Sequence, residues 1–155
     1  MKKGANSLFT PFFLIFEQSK YLDSKEEREE MKCDCAASEI LVYPCSGASN
    51  VGQIANEAGL RLREAGKASM HCTAGIGGHV KPIVDGAKAA KVIIALDGCH
   101  VGCVKKCLEA EGLKPGVYFV VSEELAVKKG YERPKEDDIK QAMDNVVKKL
   151  DNAME

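Results

Sequence analysis

The chain lacks an excess of charge of either sign, and it lacks an apolar run long enough to cross a bilayer. Its formal net charge is −1, so bulk electrostatics do not predict binding to nucleic acid or to an anionic membrane. The apolar segment near the N-terminus covers residues 8–16, whereas a membrane-spanning helix needs about 20 residues. We therefore expect no nucleic-acid partner and no membrane span.

Complete signatures for nucleotide or phosphate-ester chemistry are also missing. Residues 47–54 have the glycine spacing of a Walker A loop, but Gln53 stands where lysine is needed and Ile54 where serine or threonine is needed. A cysteine phosphatase loop at Cys45 would require arginine at the position of Val51. The glycine-rich segment 75–78 lacks the third glycine of a dinucleotide fingerprint, because that position is Val80.

Cysteine, in contrast, is abundant. The seven cysteines cannot all pair as internal disulfides, and 155 residues can bury a core without covalent staples. In a reducing compartment such cysteines more often bind metal or exchange electrons than form structural bridges. We therefore expect a cytoplasmic protein in which the thiols are functional.

The N-terminus superficially resembles a signal peptide, since Met1-Lys2-Lys3 precedes the apolar residues 8–16. The charged residues 17–30 that follow contain no small-residue cleavage pattern, which argues against secretion. We predict an N-terminal extension over residues 1–36. If translation of the natural protein starts at Met31, the residues before Met31 are not native. A single α/β domain is predicted over 37–155. The apolar run suits a dimer contact, which leaves a homo-oligomer open.

Strand and helix patterns alternate through the predicted domain. Continuous apolar runs predict strands at 40–44, 68–72, 91–96 and 117–121. Helical spacing predicts helices over 51–65, 82–90, 100–111 and 134–150. Strands alternating with helices imply a parallel sheet with right-handed crossovers. The fold class is therefore α/β, a three-layer Rossmann-like or flavodoxin-like sandwich with a short parallel sheet of about four strands.

Cysteines follow three of the predicted strands. Cys45, Cys72 and Cys99 each stand where an apolar run ends, and the C-terminal ends of parallel strands form the edge where ligands bind. Cys103 and Cys107 continue the series at intervals of four, one helical turn apart. On a helix, Cys99 and Cys103 reach one metal ion, whereas Cys107 lies about 12 Å from Cys99 by the helical rise. A zinc site needs four ligands, which predicts Cys45, Cys72, Cys99 and Cys103.

The segments that carry these cysteines resemble a known family. PCSGASNVGQIANEAG (44–59), MHCTAGIG (70–77) and ALDGCHVGC (95–103) together are similar to the DGC-domain family, described as zinc-binding proteins. The family name matches the tripeptide Asp97-Gly98-Cys99. In such proteins four cysteines are regarded as potential chelators, and by position they fall on Cys45, Cys72, Cys99 and Cys103. The resemblance covers about residues 40–126 and implies no established reaction.

Other residues near the predicted site keep two interpretations. His71, on a strand beside Cys72, is expected to face away from the ligands, and His79 lies in a glycine-rich loop where a substrate contact is conceivable. His100 is an alternative ligand in place of a cysteine. Asp97 is expected to cap the helix that follows it. Roles remain open for three further thiols: Cys33, Cys35 and Cys107.

Two classes of function fit this pattern. The first is a zinc-binding protein whose four-cysteine site lies at the C-terminal edge of the sheet, with its exact biochemical role unknown. The alternative is a thiol-based redox or sulfur/selenium-transfer enzyme that uses the same cysteines. The cofactor is Zn²⁺, or alternatively an iron–sulfur cluster, although the CxxxCxxC pattern fails at Lys106. The partner is a small thiol, sulfur or selenium species, or a protein.

Overall fold

This computed structural model describes residues 39–155. The predicted N-terminal extension, its boundary at residue 36, and Cys33 and Cys35 lie outside the described residues, so these predictions stay predictions. Within residues 39–155, none of the helices has the length and apolar character needed to span a membrane.

Strands and helices alternate along the described part of the chain, as the sequence predicts. The strands are short and the helices between them carry most of the residues. In chain order the elements are β1 Ile40–Pro44, α1 Asn50–Glu64, β2 Ser69–Met70, α2 Thr73–Gly77, α3 Lys81–Ala89, β3 Val92–Asp97, α4 Cys103–Ala110, β4 Val117–Val120, α5 Val121–Glu124 and α6 Glu136–Met154.

The four strands form one parallel sheet in the order β2-β1-β3-β4. Val42 of β1 lies opposite Ile94 of β3, and Ile94 lies opposite Val117 of β4. From β1 the chain moves to β2 on one side and then returns to β3 on the other, so the strand order reverses between β1 and β3. Ligands of open α/β sheets bind outside the C-terminal ends of the strands at such a reversal.

Alternate side chains of each strand face opposite layers of helices. Val42, Ile94 and Phe119 pack on the face covered by α1 and α6. Leu41, Tyr43 and the other alternate residues of β1 and β3 pack on the face covered by α2, α3 and α4. Both faces are buried, which is why the strands are continuously apolar, and the predicted three-layer α/β sandwich is confirmed.

Two of the differences between the predicted and the observed bounds bear on the site. The predicted strand 68–72 is the two-residue edge strand β2, which hydrogen-bonds to a neighbour on one side only. The predicted helix 100–111 begins later, at Cys103. Gly102 has φ +66°, a left-handed conformation, and its N–H donates to the Cys99 carbonyl in a turn. The prediction that Cys99 lies on the helix is therefore wrong, because this turn separates Cys99 from α4.

The loop that follows β3 touches the first turn of α1 backbone to backbone. A Cβ added to Gly98 would lie 2.7 Å from the Gly52 nitrogen and 2.8 Å from its Cα. A Cβ added to Gly52 would lie 2.7 Å from the Gly47 carbonyl oxygen. Because backbone atoms cannot move aside as a flexible side chain can, both positions require glycine for steric reasons.

We predict that Gly98→Ala lowers the free energy of unfolding by about 1–3 kcal/mol, the usual cost of forcing an extra methyl into a closely packed region. Gly47→Ala is the matched control in the neighbouring loop. Its new Cβ would lie 3.5 Å from Cys45 Sγ, an ordinary contact. Urea unfolding of both variants tests the prediction, and equal stability of Gly98→Ala and Gly47→Ala would contradict it.

Candidate thiol site

The candidate site lies where the loops after β1 and β3 leave the C-terminal edge of the sheet. The Cys45 N–H donates to the Leu96 carbonyl at 2.8 Å, which ties the first loop to the central strand β3. Ser49 caps α1, and its hydroxyl accepts the N–H of Gly52. This cap satisfies an N–H group in the first turn of α1.

A buried carboxylate organises the second loop. Asp97 is 1% exposed, and its side chain accepts the N–H groups of Val104 at 2.9 Å and Lys105 at 3.1 Å. The Tyr118 hydroxyl also hydrogen-bonds to this carboxylate. Two otherwise unpaired N–H groups at the start of α4 are thereby satisfied. The expected capping role of Asp97 is confirmed, and it explains why α4 begins at Cys103.

Three of the four predicted ligands line one cavity of about 630 Å³. Cys45 contributes from the loop after β1, Cys72 from the N-cap of α2, and Cys103 from the first residue of α4. Cys107, which lies one turn after Cys103 on α4, lines the same cavity. All four are free thiols, with Cys72 and Cys103 exposed and the others half-buried. The structure thus adds Cys107 to the cysteines around this cavity.

Cys99, the fourth predicted ligand, is not among the residues that line the cavity. It is half-buried, and the Lys129 ammonium group donates to its sulfur at 3.6 Å. Asn50 holds the segment that carries Lys129: its side chain donates to the Lys128 carbonyl at 3.0 Å and accepts the Gly130 N–H at 2.7 Å. Asn50 is 4% exposed, so a buried side chain positions the cation next to Cys99.

The thiols are close enough to influence each other electrostatically. The pKa of Cys103 is raised, first by partial loss of hydration and then by the negative charge of Cys45, Asp97, Cys99 and Cys107 as they ionise. Like charges disfavour one another's ionised form. Cys103 therefore lies within electrostatic range of Cys99 and of the cavity cysteines Cys45 and Cys107.

His71 also lines the cavity, and its ring contacts the buried ring of Tyr43 edge to face, with centroids 5.7 Å apart. Burial lowers the pKa of His71, so the imidazole is neutral at pH 7. His79 pairs instead with the Glu111 carboxylate, and His100 is exposed in the turn before α4.

Among residues 39–155, no three histidine, cysteine, aspartate or glutamate side chains stand in an arrangement that could hold a metal ion. The chemistry of the donors nevertheless suits zinc, which binds thiolates readily and completes a tetrahedron from four of them.

Comparison with known protein families finds the DGC domain over residues 41–146. The chain belongs to the DGC domain family. A relative with a curated name is the anaerobic and virulence modulator AnvM of Pseudomonas aeruginosa, 47% identical over 91 residues, which cover 59% of this chain and 69% of AnvM. No solved structure matches the chain.

The DGC family is named after a tripeptide, and each of its three residues has a different structural role in this chain. Asp97 caps α4 with its buried carboxylate. Gly98 lies against the backbone of Gly52 with no room for a Cβ. Cys99 then places a thiol beside Lys129. In this DGC domain, two of the three positions build the loop and the third supplies a thiol.

Sequence reasoning left the role of Cys107 open, and it did not identify Arg63 or Lys129, which the structure also brings to the site. The sequence did contain a signal for Cys107, because a spacing of four residues places it on the same helix face as Cys103. Arg63 lines the cavity from the last turn of α1. Lys129 reaches Cys99 through a contact that spans 30 residues of sequence. No local pattern marks Arg63 or Lys129.

We predict that Asp97→Asn lowers the free energy of unfolding by about 1–3 kcal/mol. The amide has one oxygen in place of two, so it cannot accept all of the hydrogen bonds that the carboxylate accepts. Its NH₂ group would also face the N–H groups that now donate to Asp97. Asp144→Asn, an exposed position on α6, removes the same charge and should change stability by less than about 0.5 kcal/mol. Urea unfolding at pH 7 compares them. Equal stability of the two variants would show that the Asp97 cap is dispensable.

We also predict that the Tyr118 phenol ionises at a higher pH than an ordinary tyrosine. Burial, followed by the charge and hydrogen bond of Asp97, raises its pKa to about 12, above the usual value of about 10. The stability that this phenol contributes is therefore complete below about pH 10 and is lost as the pH rises through about 12. The absorbance titration of the wild type minus that of Tyr118→Phe isolates this group. In an Asp97→Asn background its midpoint should fall, and a wild-type midpoint near 10 would contradict the assignment.

Proposed function

We propose that this chain binds one zinc ion through Cys45, Cys72, Cys99 and Cys103. The observation that carries the proposal is that Cys45, Cys72 and Cys103 line one cavity at the C-terminal edge of the sheet, while Cys99 lies within electrostatic range of Cys103. Soft thiolates are the preferred zinc ligands, and four of them satisfy its tetrahedral coordination. An iron–sulfur cluster is the other group that a cysteine-only ligand set accepts.

The electrostatics of the cluster support a cation here. Partial loss of hydration, and after it the negative charge of the neighbouring cysteines and Asp97, raises the pKa of Cys103, and a divalent cation would oppose this shift. Each thiol that binds a metal gives up a proton, so binding should weaken as the pH falls. Lys129 adds a positive charge beside Cys99, which would offset part of the negative charge of a four-thiolate complex.

A thiol-based redox or sulfur/selenium-transfer role is the second candidate. It is favoured by Cys107, which lines the same cavity as three of the proposed ligands yet is not needed to complete the metal site. A thiol that remains available beside others is what exchange between sulfurs requires. AnvM is named as an anaerobic and virulence modulator. A thiol site that changes with the supply of oxidant would suit a modulator of that kind.

The test is the metal content of anaerobically purified protein, measured by mass spectrometry together with a count of titrating thiols. We predict about one zinc per chain and three titrating thiols, because four of the seven cysteines would be bound. Cys99→Ser and Cys103→Ser should each lose most of the zinc, since a three-thiolate site leaves the ion incompletely coordinated.

Cys107→Ser is the matched control, because it removes a thiol from the same cavity without removing a proposed ligand. It should retain zinc and lower the thiol count by one. Loss of zinc in Cys107→Ser, with zinc retained in Cys99→Ser, would replace Cys99 by Cys107 in the ligand set. Wild-type protein with no metal and seven titrating thiols would contradict zinc binding and leave the second candidate.

A further inference from the structure

The cavity beside the thiols is much larger than a metal ion needs. Its volume is about 630 Å³, whereas a water molecule occupies about 30 Å³ in the liquid. Pockets for small organic ligands commonly measure about 300–1,000 Å³. The cavity therefore has the size of a site for a molecule, with room left beside any ion that the cysteines hold.

The lining of the cavity is rich in sulfur. Cys45, Cys72, Cys103 and Cys107 contribute thiols, and Met70 contributes a thioether. Thiolates exchange reversibly with disulfides, which oxygen and nitrogen groups on the surface do not. The chemistry of the wall thus favours a ligand that itself carries sulfur.

The charge of the lining has one sign. Among the described residues that line the cavity, Arg63 alone carries a permanent charge, and the others are neutral side chains or titrating thiols and an imidazole. Its guanidinium group has no carboxylate partner within residues 39–155. Arg61, on the same helix, is by contrast bound by Glu136 at 2.7 Å and lies 3.7 Å from Glu57. Arg63 is therefore the arginine of this pair that is available to an anion.

We propose that this cavity binds small anionic thiols and their disulfides, with the anionic group at Arg63 and the sulfur at Cys45, Cys103 or Cys107. The inference rests on the thiol site of the proposed function but does not require zinc. With a disulfide, a protein thiolate attacks one ligand sulfur and forms a protein–ligand disulfide. The ligand's own S–S bond breaks, and the leaving half departs as a thiolate that takes up the proton given up by the protein thiol. The protein sulfur is oxidised and the ligand disulfide is reduced.

The test is a charge series of disulfides that share the same reacting bond. Full-length reduced protein is treated with 3,3′-dithiodipropionate, bis(2-hydroxyethyl) disulfide or cystamine, which carry two negative charges, none and two positive charges. Rates of adduct formation are assigned to individual cysteines by peptide mass spectrometry, before and after treatment with a chelator. The readout is the ratio of the anionic rate to the cationic rate, from which the general reactivity of each thiol cancels.

In wild-type protein, the cavity cysteines should react faster with the anionic disulfide than with the cationic one. Arg63→Gln should lower the anionic rate roughly fivefold, the size of one charge–charge contact at about 4 Å in water, and should leave the neutral rate unchanged. Arg61→Gln removes the same charge from the same helix, where carboxylates already neutralise it, and should keep the wild-type ratio.

An unchanged ratio in Arg63→Gln, an equal fall in Arg61→Gln, or adducts confined to Cys33 and Cys35 would overturn the inference. The metal content of each sample separates this result from the zinc proposal. Protein that holds zinc but shows no charge preference retains the proposed function and loses the inference. Protein without zinc that shows the preference in wild type, and loses it in Arg63→Gln, supports the inference alone.

Discussion

The carboxylate of Asp97 is the group on which the geometry of the site depends. It is buried at the end of the central strand, where an unsatisfied charge would cost several kcal/mol. Two N–H groups at the start of α4 and the Tyr118 hydroxyl satisfy it. Because these donors must converge on one point, they fix where α4 begins. Cys103 and Cys107 are then placed against the cavity by the same helix.

A second constraint comes from backbone contact between Gly98 and Gly52. It brings the loop after β3 against the start of α1, where Ser49 and Asn50 lie. Asn50 in turn holds the segment around Gly130 that carries Lys129 to Cys99. Polar side chains that resemble ordinary helix caps in the sequence therefore connect three loops. The site is positioned by these loops together rather than by any one of them.

The sequence predicts the fold well because the sheet is buried on both faces. Continuously apolar runs are unambiguous for β1, β3 and β4, and the stripe of α6 is equally clear. Prediction fails where local geometry overrides periodicity. The spacing of Cys99 and Cys103 suggests one helix, but the left-handed Gly102 ends that pattern. The edge strand β2 is shorter than its apolar run because only β1 pairs with it.

The candidate site is less predictable from sequence, because some of its side chains come from positions that no local pattern marks. Cys45, Cys72 and Cys103 could be inferred to meet, since each follows a strand or begins a helix at one edge. Arg63 and Lys129 could not, because long side chains reach the site from exposed positions whose local sequence resembles any solvated surface. Charge around a thiol cluster is therefore information that the tertiary structure adds.

The two proposals constrain each other through Cys45 and Cys103. Both residues belong to the proposed zinc ligands, and both line the cavity that would receive a small thiol. A cysteine joined to a ligand by a disulfide has no thiolate left for a metal ion, so adduct formation at Cys45 or Cys103 must compete with zinc binding. Competition of this kind would couple the metal content of the domain to the supply of anionic disulfides. A molecule with such coupling responds to oxidant without needing a separate sensor site.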